Sequence, residues 1–278
     1  MYLVTGAGGQ LGMKLRALLK DAAVYVDRQE LDISSEIAIK SFFTERHFDC
    51  VINCAAYTAV DKAEDEPVQA EAVNHYGAQW LAKYGKSIIH VSTDYVFDGT
   101  NSRPYLDDDR TNPVSVYGRT KLAGEKAVLD SAETAVIIRT AWLYSEYGNN
   151  FLKTMLRLGK ERDSVNVVSD QIGSPTFAGD LANAIVCMLP QIQKGKKSIY
   201  QFTNAGVCSW YDFAHAIMEI AGLSCTVNPI ESKDYPTKAT RPFYSVLSKE
   251  KIRQDFSVVI PHWRDALRKV LRDMKEVR

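Results

Sequence analysis

Three glycines close to the N-terminus, Gly6, Gly9 and Gly12, follow a short apolar stretch (residues 2–5) and open an amphipathic run (residues 11–20). This GxxGxxG spacing sits at a strand–turn–helix junction. Glycine tolerates positive φ and has no Cβ, so the backbone there can close on a phosphate. The helix that follows offers unpaired N–H groups and the positive end of its dipole. In that context the pattern predicts a dinucleotide pyrophosphate site rather than a bare tight turn.

The rest of the chain supports the sheet such a site needs. Apolar strand-like segments at 2–5, 23–26, 49–54, 87–92 and 135–139 alternate with helical patterns at 11–20, 37–43, 68–84 and 114–129. Alternation of this kind predicts an α/β fold, a doubly wound parallel sheet with helices on both faces. After about residue 142 the rhythm weakens. Helices are expected at 152–162, 177–189, 211–221 and 263–274, and strands at 165–168 and 198–202. We read residues 1–147, with about 177–203, as the dinucleotide-binding domain. About 148–176 and 204–278 then form a smaller, discontinuous C-terminal substrate lobe.

Asp27 ends the second strand, where a carboxylate can accept both ribose hydroxyls and favour NADH. Arg28 follows it and can pair with the extra phosphate of NADPH. The two neighbours pull in opposite directions, so NADPH or NADH both remain open. Asp32 and Ile33 are expected beside the adenine.

Tyr117 and Lys121 lie four residues apart on the 114–129 helix, hence on one face. A tyrosine with a pKa of ~10 is a slow proton donor at neutral pH, and an ammonium beside it should lower that value. Such a pair alone is common on solvated helices. Its weight comes from Thr93 and Asp94, which follow the fourth strand at its carboxyl end, where open α/β sheets bind ligands. A hydroxyl there can bond a substrate carbonyl. Trp142, just past the next strand, faces the same region.

Lysine and arginine together number 34, as do aspartate and glutamate. That balance gives no support to bulk attraction for nucleic acid or a membrane surface. No apolar run approaches the ~20 residues of a membrane span. The five cysteines contain no CxxC pair, so no zinc site is expected and the metal expectation is none. Reduced thiols and a cytoplasmic location follow.

Taken together, these motifs resemble the extended short-chain dehydrogenase/reductase superfamily, and within it the dTDP-4-dehydrorhamnose reductases. The segments carrying the resemblance are Ser92-Thr93-Asp94-Tyr95-Val96-Phe97-Asp98-Gly99 and Asn53-Cys54-Ala55-Ala56-Tyr57-Thr58-Ala59-Val60-Asp61. Tyr117-Gly118-Arg119-Thr120-Lys121, Asp170-Gln171-Ile172-Gly173-Ser174-Pro175-Thr176 and Arg241-Pro242 add to it. The resemblance implies a Rossmann-type fold and a catalytic set of Thr93, Tyr117 and Lys121. It implies cofactor contacts from Gly6, Gly9, Gln10, Leu11 and Gly12, from Asp27, Arg28, Asp32 and Ile33, and from Ala55, Ala56, Tyr57, Thr58 and Val91. Thr93, Asp94 and Trp142 would touch a dTDP-sugar, and Arg241 would pair with its diphosphate. The implied reaction is reduction of the C4 ketone of dTDP-4-dehydro-L-rhamnose, the last step of dTDP-rhamnose biosynthesis. Some relatives carry an acidic residue in the first helix that helps bind magnesium between subunits. This chain has Lys14 in that region, which argues against a metal-bridged dimer and leaves homodimer or monomer open. Two other readings share the fold: a non-catalytic nicotinamide-binding regulatory subunit, and a nucleotide-sugar epimerase or dehydratase using Asp94 as its acid.

Overall fold

In a computed structural model of the chain, residues 1–276 are described. The first half comprises β1 (Tyr2–Thr5), α1 (Gln10–Leu19), β2 (Ala23–Val26), α2 (Glu36–Thr44), β3 (Cys50–Asn53), α3 (Val60–Ala63), α4 (Pro67–Glu71), α5 (Ala78–Gly85), β4 (Ser87–Thr93), α6 (Val116–Ser131) and β5 (Thr134–Thr140). There follow β6 (Leu143–Tyr144), α7 (Phe151–Glu161), β7 (Ser164–Val168), β8 (Ile172–Gly173), β9 (Thr176–Phe177), α8 (Ala178–Met188) and β10 (Lys197–Gln201). The chain closes with β11 (Cys208–Ser209), α9 (Trp210–Ala221), β12 (Thr226–Ile230), α10 (Glu250–Phe256) and α11 (Trp263–Glu276).

Six strands form one parallel sheet in the order β10-β5-β4-β3-β1-β2. The chain runs outward from β1 to β2, then returns to place β3 on the other side of β1. The order therefore reverses between β1 and β3, and the crevice beyond their carboxyl ends is where such sheets bind ligands. The glycine loop after β1 and the 54–58 segment after β3 both open there. All seven residues of β5 are buried, as expected for a strand covered on both faces. One face packs against α1 and α8 through Leu11, Leu15, Leu181 and Ile185. The other packs against α2, α5 and α6 through Ile39, Leu81 and Val128. A separate apolar cluster joins α7, α9 and α11 through Leu152, Phe213, Ile217 and Leu267.

Most expected elements fall within one or two residues of the observed ones. The 68–84 helix differs, because residues Ala72–Gly77 form a π-helical turn between α4 and α5. A Cβ on Gly124 of α6 would lie 2.0 Å from the Asn74 carbonyl oxygen in that turn. The widened turn and the bare glycine together let α6 come close. Hydrophobic periodicity does not distinguish an α from a π turn, so the feature has no sequence signature. Also unforeseen are β12, which pairs with β7 in a separate parallel ladder, and α10. Residues 277 and 278, the end of the expected substrate lobe, lie outside the described residues.

Beneath the site, α6 is tied to the sheet by a buried ion pair. Arg139 Nη2 of β5 lies 2.8 Å from Glu125 Oε2 of α6, with side chains 3% and 2% exposed. Arg139 Nε adds a bond at 3.0 Å to Glu125 Oε1, and Ser92 Oγ donates to the same oxygen at 2.5 Å. Removing one partner strands the other charge in low dielectric. Glu125→Ala is therefore expected to lower stability by about 3–5 kcal/mol, read from urea unfolding. A loss no larger than that of an exposed glutamate would show the pair to be dispensable.

Candidate active site

A cavity of about 880 Å³ opens at the switch point, bounded by the ends of β1, β3, β4 and β5 and by the start of α1. Its walls include every residue expected at the site except Arg241: Gly6, Gly9, Gln10, Leu11 and Gly12 at one end, Asp27, Arg28, Asp32 and Ile33 beside them, Ala55, Ala56, Tyr57 and Thr58 on one flank, and Val91, Thr93, Asp94, Tyr117, Lys121 and Trp142 at the other end.

The glycine end is shaped for an anion. Gly6 has φ +65°, and a Cβ on Gly12 would lie 2.4 Å from the Gly6 carbonyl oxygen. The loop can close onto α1 only with glycine at both places. Gly9 caps α1 without a side-chain bond, and the first turn holds no acidic residue. The N–H groups of that turn are thus left for a ligand. Asp27 Oδ1 accepts from Gly8 N at 2.9 Å, placing the carboxylate beside the loop. Arg28 is 75% exposed and only 3.9 Å from Asp32, so its guanidinium stays available to a phosphate. Gln10 braces the loop from behind: Ser145 Oγ and Asn150 Nδ2 donate to its Oε1 at 3.1 and 2.9 Å. These residues fit a dinucleotide along the cavity.

At the chemical end, Ser115 caps α6 by accepting from Gly118 N at 3.1 Å, which starts the helix one residue before Tyr117. Thr93 Oγ1 donates to Asp94 Oδ1 at 2.9 Å and accepts from Tyr95 N at 3.2 Å. The Thr93 proton is thus directed to Asp94. Asp94 is 3% exposed, its Oδ2 has no partner, and burial pushes its carboxyl up to about 7. A carboxyl that is neutral near pH 7 can donate as well as accept.

Two expectations require correction. The Tyr117 phenol is not brought below its ordinary value. Burial pushes that phenol up to about 12; a bond to Thr93 pulls it down and the Asp94 charge pushes it up. Lys121 is itself 1% exposed and pushed down to about 8 by burial, with Glu125 and Cys54 opposing. Its ammonium donates to the Val91 carbonyl at 2.7 Å. Arg241, expected on a diphosphate, is set behind the cavity wall, beside Tyr95, and its Nη2 donates to Asp61 Oδ2 at 2.7 Å.

Other residues settle into supporting roles. Trp142 takes φ +49°, a left-handed conformation rare for a bulky residue. It stacks on Trp210 with ring centroids 3.6 Å apart, which holds it in the cavity wall. Trp210 thus stacks as well as packs, which its place at a helix start did not signal. Asn74 fixes the 57–58 flank through Tyr57 N at 2.9 Å and receives no ligand-facing role. Lys14 pairs with Glu146 and lies over the Tyr147 and Phe177 rings. Among the described residues no group of three acidic, histidine or cysteine side chains could hold a metal ion, and no helix is long and apolar enough to cross a membrane.

A parallel sheet with its strand order reversing over a glycine loop, and a Thr–Tyr–Lys set at the far end of one cavity, define an extended short-chain dehydrogenase/reductase. A family model described as the RmlD substrate binding domain matches residues 1–276, and the chain belongs to that family. It is 44% identical to a dTDP-4-dehydrorhamnose reductase of Aggregatibacter actinomycetemcomitans, covering 96% of this chain and 97% of that protein. Its fold is similar to the crystal structure of a dTDP-4-dehydrorhamnose reductase from Clostridium acetobutylicum, with TM-score 0.94, 39% identity and 99% of each chain covered. The Bacillus anthracis dTDP-4-dehydrorhamnose reductase, solved in complex with NADP, gives TM-score 0.94 at 35% identity over 98% of each chain.

The Asp94 carboxyl carries a pH signature. Its ordinary value in an unfolded chain is ~3.9, and in the fold it is about 7. Between those values the folded protein holds a proton that the unfolded chain has lost, so the contribution of Asp94 to stability falls as pH rises from 4 to 7. Asp94→Asn should flatten that descent in denaturation midpoints measured across the range. An unchanged slope would remove Asp94 as its source.

Proposed function

We propose that this chain reduces the C4 ketone of dTDP-4-dehydro-L-rhamnose to dTDP-L-rhamnose, with NADPH or NADH as reductant. The observation that carries the reading is the single cavity that runs from the glycine loop to Thr93, Tyr117 and Lys121. The bound cofactor supplies hydride to the sugar C4. The remaining work belongs to the protein. The α1 N-terminus and the Gly6–Gly12 loop hold the pyrophosphate, and Asp27 or Arg28 reads the adenosine ribose. Tyr117 gives its proton to the C4 oxygen as negative charge develops there. A phenol near 12 is a weak acid at rest but remains protonated through the working range, ready to donate. Thr93 orients the phenol, and Asp94 anchors the Thr93 hydroxyl. Trp142 and the elements around α7 and α9 supply the wall that receives the sugar nucleotide. We take 148–176 and 204–276 as the substrate lobe on that account. All five cysteines are free, which agrees with the cytoplasmic location we propose.

Three measurements test this reading. Supplied with dTDP-4-dehydro-L-rhamnose, the protein should consume NAD(P)H one for one; an epimerase or dehydratase would recycle it, and a regulatory binder would consume none. Tyr117→Phe keeps the ring and loses only the acid, so kcat should fall by ~10²–10⁴ while cofactor Kd stays near the parent value. Arg28→Ala removes the one cation beside Asp27 and should raise the NADPH Kd by roughly tenfold, equivalent to ~1.4 kcal/mol, with little change for NADH. Equal effects on both cofactors would exclude Arg28 from the phosphate.

A further inference from the structure

His90 lies on β4, one residue before Val91 and three before Thr93, and is 1% exposed. It does not line the cavity. Its two ring nitrogens nevertheless link the strand next door to the catalytic lysine. Nδ1 is 3.0 Å from Asn53 Nδ2 of β3, and Nε2 is 3.3 Å from Lys121 Nζ of α6.

The proton positions follow from the hydrogen-bond chain. Ala55 N, a backbone donor, points at Asn53 Oδ1 at 3.1 Å. The Thr5 hydroxyl donates to the same oxygen at 2.7 Å. Turning the Asn53 amide over would set its NH₂ against the Ala55 N–H, so the orientation is forced. Asn53 must then present an N–H to His90 Nδ1, which accepts it. In a neutral imidazole one nitrogen accepts and the other carries the proton. The proton is therefore on Nε2, facing Lys121. An ammonium has only donors, so Nε2–H against Nζ–H is repulsive, whereas a neutral amine has a lone pair to accept it. The opposite tautomer would only move the clash to Asn53. While Lys121 is charged, one of the two contacts is donor against donor; when it is neutral, both are satisfied.

We propose that His90 is a positioning residue that acts through Lys121: Asn53 locks the imidazole as its Nε2–H tautomer, and that N–H favours the amine over the ammonium. Other groups bear on the same nitrogen. Glu125, one turn along α6, and Cys54, at the end of β3, favour the ammonium, and the Val91 carbonyl accepts one of its protons. Tyr117 lies one turn before it on α6. His90 is itself kept neutral by burial and by the Lys121 charge. His90 thus joins burial in drawing the loss of the Lys121 charge from its usual alkaline range toward neutrality, where it changes the electrostatics around Tyr117. This rests on the reductase reading only for its effect on turnover; the tautomer and the lysine titration stand without it.

The test uses the full-length protein with lysine and histidine side chains labelled for NMR. His90→Asn retains an acceptor for Asn53 and replaces the ring N–H that faces Lys121 by the N–H of a shorter amide, set back from Nζ. The Lys121 titration is expected to move up by one pH unit or more, and the alkaline limb of kcat/KM with NADPH to move with it. A side chain that merely fills space would scale activity equally at every pH. A Lys121 titration unmoved by His90→Asn overturns the proposal. In the parent protein, the histidine ring nitrogens report the tautomer directly: a protonated Nδ1 on His90 overturns the proposal even if the variant does not fold. If the ketosugar is not reduced but tautomer and titration are as expected, the reductase reading fails and the proposal for His90 holds.

Discussion

The seating of α6 on the sheet governs what the rest of the molecule can do. Tyr117 and Lys121 share a helix, whereas Thr93, Asp94 and His90 belong to β4 and its exit. Their distances are set by how closely that helix approaches. Two contacts fix the approach, and neither is apolar in the ordinary sense. Gly124 lets the helix come down on the Asn74 carbonyl in a π-helical turn. One residue further on, Glu125 reaches the buried guanidinium of Arg139 and the Ser92 hydroxyl. A hydrophobic interface tolerates sliding; a multiply bonded ion pair has one register. A buried ion pair adds little net stability compared with apolar packing. Its consequence here is geometric, because the catalytic helix has one place to sit.

The sheet was legible because its determinants are local. Short apolar strands punctuated by amphipathic helices announce a parallel sheet, and the Gly6–Gly12 loop announces which end binds a ligand. The glycine loop and the Thr93–Asp94 strand end were legible for the same reason, whereas the Ala55–Thr58 flank was expected only from the family resemblance. What was not legible depends on pairs far apart in sequence. Arg241 reads as a free cation until Asp61, 180 residues earlier, is seen to hold it. Lys121 reads as a neighbour of Tyr117 by spacing, but its amine extends to Val91 and His90 instead. His90 is a core histidine by burial. Only its partners give it a further role. The π turn was hidden for another reason, since hydrophobic spacing is nearly blind to one extra residue in a helical turn.

Hydrogen bonding also changes which residue meets the substrate oxygen. Thr93 and Asp94 were equivalent candidates by position. In the fold the Thr93 hydroxyl donates a hydrogen bond to Asp94 Oδ1 and accepts one from the Tyr95 backbone. The same hydroxyl also bears on the Tyr117 phenol and opposes the rise in its pKa, so its proton is shared between Asp94 and the phenol. The unpartnered oxygen belongs to Asp94, whose carboxyl is held neutral to about 7. A neutral acid beside a hydroxyl is also what an eliminating enzyme would want, so the acid alone does not select between reduction and dehydration.

The selection lies in how charge is arranged around Tyr117. A phenol held near 12 by burial releases its proton readily only when something accepts it with a comparable appetite. An alkoxide formed by hydride addition to a ketone is such an acceptor, since its conjugate alcohol is a weaker acid still. Starting the reaction by pulling a proton from an alcohol would require the opposite: a phenol already depressed toward neutrality and a lysine firmly charged beside it. Here the lysine is the group drawn toward neutrality and the phenol is the one kept protonated. A buried, protonated phenol suits donation to a nascent oxygen anion, the proton transfer that a ketone reduction requires.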